Sequence, residues 1–95
     1  MSSALTTMIY RIEYDDSFKR ELKKLDLHVQ KRILGWIEKH LYNTTDPRSE
    51  GKPLVGNKKG WWRYRVGDYR ILADIQDDKL IILVIEVGHR SSVYR

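Results

Sequence analysis

Two hydrophobic rhythms divide the chain. Residues 9–14, Ile-Tyr-Arg-Ile-Glu-Tyr, are β-branched and aromatic and alternate imperfectly, which predicts a strand. Asp15, Asp16 and Ser17 then offer N-cap oxygens, and behind them Phe18, Leu22 and Leu25 recur at helical spacing with lysines and Arg20 between them. Asp26 is placed to cap a second helix, whose apolar stripe is Val29, Ile33, Trp36, Ile37 and Leu41, while Lys31, Arg32, Glu38 and Lys39 face water. Gly35 lies inside that helix, where glycine costs about 1 kcal/mol relative to alanine, and is expected to mark a close helix contact.

Residues 43–60 contain both prolines and read as a loop, with a short edge strand over residues 53–55. The period then becomes two: Trp62, Tyr64 and Val66 alternate with Trp61, Arg63 and Arg65. Gly67-Asp68 is a two-residue hairpin signal, residues 69–76 are the return strand, and Asp77-Asp78 makes a second tight turn. Residues 79–87, KLIILVIEV, are almost continuously apolar, as expected of a central strand covered on both faces. Residues 88–95 read as a short polar tail. The predicted class is α+β: a helical hairpin packed on a small, mostly antiparallel sheet, in the order β-α-α-β-β-β.

Ninety-five residues make one domain, assigned to residues 8–95. Residues 1–7 are small, polar and patternless and read as a loose extension; Met8 is a second candidate for the natural start. No signal peptide and no membrane-spanning run is read, and the absence of cysteine fits a reducing cytoplasm. The net charge of +5 is not spread evenly. Six basic residues (Lys52, Lys58, Lys59, Arg63, Arg65, Arg70) and one acid, Asp68, fall between positions 52 and 70, and the remainder is neutral. A neutral body with one basic segment points to a polyanionic partner approached from one side; the plainer reading is a solvated lysine-rich loop.

His28, His40 and His89 are far apart and show no metal-binding spacing, so neither a metal nor another cofactor is expected. There is no phosphate-cradling glycine loop and no Ser/His/Asp pattern. What remains is a set of arginines. Arg63 and Arg65 are two apart on one strand and leave the same face, Arg70 opens the paired strand, and Arg90 and Tyr94 follow the last strand. Arg63, Arg65, Arg70 and Arg90 together would surround a phosphodiester with fork-shaped donors. Tyr94 and Trp61 could stack on unpaired bases, with Lys58 and Lys59 adding charge for RNA. Taken singly, each arginine is equally a solvent-facing or salt-bridged strand residue, and Trp61 a structural one.

The string from residue 56 to 94 resembles the C-terminal half of RelE/ParE-family toxins, closest to RelE-type mRNA interferases of type II toxin–antitoxin systems. The hallmarks are Arg63-Tyr64-Arg65, the hairpin Gly67-Asp68-Tyr69-Arg70, and the Val-Gly-His-Arg…Val-Tyr ending at residues 87–94. Residues 18–25, FKRELKKL, are similar to the family's first helix. The resemblance implies a ribosome-dependent endoribonuclease that cuts mRNA in the decoding site, the 2′-hydroxyl of one nucleotide attacking its own 3′-phosphate. It implies that Arg63 and Arg65 bind the phosphate, that Arg70 and Arg90 stabilise the transition state, and that Tyr94 orients the reacting nucleotide. It also implies a RelB-like antitoxin, partly disordered until bound, with ribosome and mRNA as further partners.

Some relatives carry lysines at the two basic positions, and a desolvated lysine can act as a base. Arginine, with a pKa above about 12, cannot. The proton acceptor is therefore sought elsewhere: His89 first, by its intrinsic pKa of about 6.5, then Glu86 and Tyr94. Two other functions share the fold or the basic face. One is a ParE-like poison of DNA gyrase; the other is a non-catalytic RNA- or ribosome-binding module.

Overall fold

The computed structural model describes residues 8–56 and 60–93, the last two through their backbone alone. β1 (Arg11–Tyr14) leads into α1 (Asp16–Lys23) and α2 (Leu27–His40); β2 (Lys52–Pro53), β3 (Trp62–Val66), β4 (Tyr69–Gln76) and β5 (Ile81–His89) follow, then one helical turn, α3 (Arg90–Val93). The strands form one sheet in the order β1-β5-β4-β3-β2, with β1 parallel to β5 and every other pair antiparallel. The architecture is the expected α+β one, a helical hairpin on a mostly antiparallel sheet.

The helices begin where acidic residues mark them. Asp15 precedes α1, and its carboxylate accepts the Ser17 amide at 3.0 Å and the Ser17 hydroxyl at 2.6 Å; these two bonds hold it below the usual carboxylate range. Asp26 occupies the cap position of α2 but makes no side-chain cap bond; its carbonyl accepts from the amides of Val29 and Gln30 instead. The apolar stripe then buries as its spacing requires. Phe18, Leu22, Val29, Ile33, Ile37 and Leu41 meet Tyr64, Val66, Ile71, Ala73, Ile82, Val84 and Val87 in one core between helices and sheet. Each such side chain contributes about 1.5–3 kcal/mol on burial. Tyr64, the largest of them, is fully buried, and its hydroxyl donates to the Pro47 carbonyl at 2.6 Å. Burial raises its phenol well above the ordinary value.

Several expectations are corrected. β5 is the interior strand expected, flanked by β1 and β4, but only one face of it is fully covered: Leu83, Ile85 and Glu86 are half-exposed on the other. An apolar run alone cannot distinguish burial on one face from burial on both when a β-bulge interrupts it, and the ladder shifts between Leu72 and Ala73. β5 extends through Gly88 and His89, so the expected polar tail is strand and then a helical turn. The edge strand forms over Lys52–Pro53, although Leu54 still donates to the Trp61 carbonyl at 2.9 Å. Gly35 marks no close contact: among the described residues, a Cβ built there would meet nothing within 4 Å.

Two clasps hold the long connection before β3. The Trp62 indole donates to the Glu50 carbonyl at 2.6 Å, with the Arg48 guanidinium over its ring. Asp77, in the β4–β5 turn, accepts both Arg48 nitrogens at 3.0 and 3.1 Å and the Tyr10 hydroxyl at 2.6 Å. These partners lower the Asp77 pKa, the Arg48 bonds most, and the Asp77 bond raises that of Tyr10. Residues 1–7, read as an extension, lie outside the described residues. Among the described residues no helix is long and apolar enough to cross a membrane.

Candidate functional site

With the helices on one face of the sheet, chemistry must be sought on the other. β3 sends Tyr64 and Val66 to the core, so Arg63 and Arg65 leave the opposite, open face. Register fixes their neighbours. Lys52, Arg63, Leu72 and Glu86 stand side by side across β2, β3, β4 and β5. The next row toward the hairpin is Arg65, Arg70 and Gly88. Gly67, at φ 59°, makes the tight turn that sets this register, a conformation few residues other than glycine adopt readily. α3 begins at the same end, because the Arg90 amide donates to the Asp68 carbonyl at 2.8 Å.

Arg65 and Arg70 are therefore two cations directly opposite on paired strands, an arrangement that costs stability unless an anion joins them. Arg70 is the more unusual. It is 7% exposed, the sole buried charged residue among those described. Its Nη1 donates to the carbonyls of Gly67 and Tyr69, each at 3.2 Å, while its Nε is buried with no hydrogen-bond partner among the described residues. Arg65 is exposed, and with Arg63, Lys52 and Gly51 it lines a groove of about 200 Å³. Among the described residues none of the ion pairs engages Arg65, Arg70 or Arg90; Asp74, a possible neutraliser, accepts from Gln76 instead. The arrangement suits an anion with several oxygens, because guanidinium forks can meet two oxygens each.

The structure thus brings Arg63, Arg65 and Arg70 together on one face, with Arg90 at the same end. It does not bring His89 in with them. His89 pairs with Tyr69, which lies on the core side with Val66, and its ring meets Tyr69 edge-on at 5.6 Å. Its Nδ1 is 3.0 Å from the Ser91 hydroxyl. Glu86 is a carboxylate on the arginine face, in the row of Arg63, and Asp74 on β4 is another. Lys52 belongs to that face too; the basic-segment count included it, but nothing in the sequence showed that β2 would set it beside Arg63. Trp61 is half-buried before β3, its carbonyl taken by Leu54. Lys58, Lys59 and Tyr94 lie outside the described residues. Among the described residues no three His, Asp or Glu side chains are grouped to hold a metal ion.

Comparison with known proteins matches this fold to one family. Residues 12–94 match the family described as ParE toxin of type II toxin–antitoxin systems. The chain is 30% identical over 90 residues to toxin RelG of Mycobacterium tuberculosis, covering 93% of this chain and 99% of that one. Among solved structures it is similar to the toxin–antitoxin complex RelBE2 of M. tuberculosis, with a TM-score of 0.78, 25% identity, and 92% and 98% of the two chains covered. It is also similar to the isolated RelE toxin of E. coli, with a TM-score of 0.67, 27% identity and 90% of each chain covered. Fold, span and sequence agree, and the chain belongs to the RelE/ParE family of type II toxin–antitoxin toxins.

Proposed function

We propose that this toxin is a ribosome-dependent endoribonuclease that cuts mRNA in the decoding site and so stops translation. The observation that carries the reading is the facing pair Arg65 and Arg70 beside Arg63, like charges set opposite one another on paired strands. In the proposed reaction the 2′-oxygen of one nucleotide attacks its own 3′-phosphate, giving a 2′,3′-cyclic phosphate and a leaving 5′-oxygen that takes up a proton. Arg63, Arg65, Arg70 and Arg90 receive the phosphate and the charge that grows on it. Preorganised donors of this kind contribute about 2.7–4 kcal/mol each to such a barrier. RNA is required because its own hydroxyl is the nucleophile. The ribosome supplies the in-line geometry, and Tyr94 stacks on the reacting nucleotide.

Arginine does not release its proton under these conditions, so a different group must take the one from the 2′-hydroxyl. Glu86, on the arginine face, is better sited for this than His89 on the other pleat. Glu86→Gln is expected to slow cutting more than His89→Gln. A partner antitoxin controls the toxin, in keeping with the similar toxin–antitoxin complex. The test is to add the protein to programmed ribosomes and to the same mRNA alone and map the fragment ends. Cuts within codons only when ribosomes are present support the reading; cutting of naked RNA alone contradicts it. The match to the ParE description keeps a second reading, a gyrase poison, which a supercoiling assay separates at once.

A further inference from the structure

We propose that the free edge of β1 is a self-pairing surface, on which a second copy of this chain lays its own β1 antiparallel and joins the two sheets into one. The inference is independent of the cleavage reading, because β5 and β4 stand between this edge and the arginines of β3. Its first observation is the contrast between the two borders of the sheet. β2 is two residues long and ends on Pro53, which has no amide to offer, so that border is closed to another strand. β1 carries no proline, no lysine and no bulge. The Arg11 and Asp15 amides donate toward β5, to the Leu80 and Val84 carbonyls at 2.8 and 2.9 Å, so alternation turns the Ile12 and Tyr14 amides outward. Beside them runs a groove of about 500 Å³, lined by Tyr10, Ile12 and Tyr14 of the strand region and by Tyr42 and Asn43 from beyond α2. Ile9, Tyr14 and Tyr42 leave exposed apolar surface along it. An open strand edge with apolar surface beside it is a template for another strand.

What identifies the occupant is the order of the charges. Arg11 and Glu13 leave the same face of β1 and form an exposed pair at 3.4 Å within one chain. Such a pair contributes little and is readily exchanged. In an antiparallel copy centred on Ile12, Arg11 faces Glu13 of the partner subunit, and Glu13 faces the partner's Arg11. This is the reciprocal contact that a two-fold axis makes. The same register sets Ile12 against the partner's Ile12 and Tyr14 against the partner's Tyr10, so the sequence Tyr-Arg-Ile-Glu-Tyr complements its own reversal. Moving the axis by one residue, onto Arg11 or Glu13, sets two like charges directly opposite.

The backbone agrees with this register. Ile12 faces outward, so the two copies exchange a pair of hydrogen bonds across the axis. The ladder ends near Tyr10, whose amide already donates to the Thr44 carbonyl at 3.0 Å. A short ladder and one apolar groove place the dimer among weak specific contacts, with a dissociation constant on the order of 10–100 μM.

The experiment is sedimentation of the full chain over a concentration series reaching about ten times that constant, with Arg11→Glu, with Glu13→Arg, and with the two variants mixed. The wild type is expected to dimerise reversibly. Each variant alone sets like charges opposite at both contacts and should associate about tenfold more weakly. Their equimolar mixture should regain the wild-type constant, because every contact is again arginine against glutamate. A misfolded variant would not give that recovery. The chain has no cysteine, so Arg11→Cys mixed with Glu13→Cys should oxidise to a linked dimer faster than either variant alone. A wild type that stays monomeric throughout overturns the proposal, even if an extended peptide of another protein binds this edge. So do charge variants whose mixture associates no better than each alone, or cysteine variants that link equally in every combination.

Discussion

Arg70→Met separates what the arginine face does for the fold from what it does for chemistry. Arg70 is a 7% exposed cation without an ionic partner among the described residues, and its Nε lacks a hydrogen bond. An unsatisfied buried donor costs about 1–3 kcal/mol, and an unpaired buried charge adds several more before relaxation. Against this stand two bonds from one nitrogen, Nη1, both long at 3.2 Å, whose loss costs about 1–3 kcal/mol in all. Methionine follows the same path without charge and fills irregular space. The balance favours the variant by roughly 1–3 kcal/mol, or about 4–8 °C in Tm for each kcal/mol in a domain of this size. On the proposed function the same change removes a donor to the phosphate, so single-turnover cutting of ribosome-bound mRNA should fall about 100- to 1,000-fold. Chemical denaturation and the cutting assay, run on one preparation, read both. A variant destabilised by more than about 2 kcal/mol, or one that cuts at the wild-type rate, refutes the argument that this arginine is kept for an anion.

Arg65→Ala, at an exposed position, should leave the denaturation midpoint within about 0.5 kcal/mol of wild type and still cut mRNA about 100-fold more slowly or worse; equal cutting would remove it from the site. Tyr64→Phe leaves the Pro47 carbonyl without its buried donor and should cost about 1–3 kcal/mol in urea melts, a measurement that also reports the attachment of the long loop. Asp77 has a lowered pKa in the folded chain, so its stabilising effect is present above the unfolded carboxylate value of about 3.9 and is lost as pH falls through the lower folded value. Asp77→Asn should thus be less stable than wild type at neutral pH, and the difference should close in acid. A constant difference between pH 7 and pH 2 would show that the clasp is not ionic.

The elements whose periodicity spans a whole face were legible in the sequence. The α2 stripe of Val29, Ile33, Ile37 and Leu41 buried as spaced, and β4 formed over the residues between its two turn signals. The shared face of Arg63 and Arg65 followed from period two alone. What the sequence could not give is what depends on register between distant strands. Which residues flank Arg63 is decided by β2 pairing and by the β-bulge opposite Leu72, neither of which leaves a local pattern. His89 was singled out by its intrinsic pKa, yet one position along a strand decides the face, and pairing with Tyr69 puts it on the other. Gly35 was read as a packing glycine because sequence shows a missing side chain but not the empty space beyond it.

The central claim is that gathered guanidinium groups hold an RNA phosphate while its own 2′-oxygen attacks. Programmed ribosomes carrying mRNA with a single 2′-deoxy nucleotide at the mapped cut position test it directly. The account predicts that the all-ribose message is cut to a 2′,3′-cyclic phosphate end and that the substituted one stays whole at that position. Equal cutting of both messages, or a 3′-end without the cyclic phosphate, would contradict it.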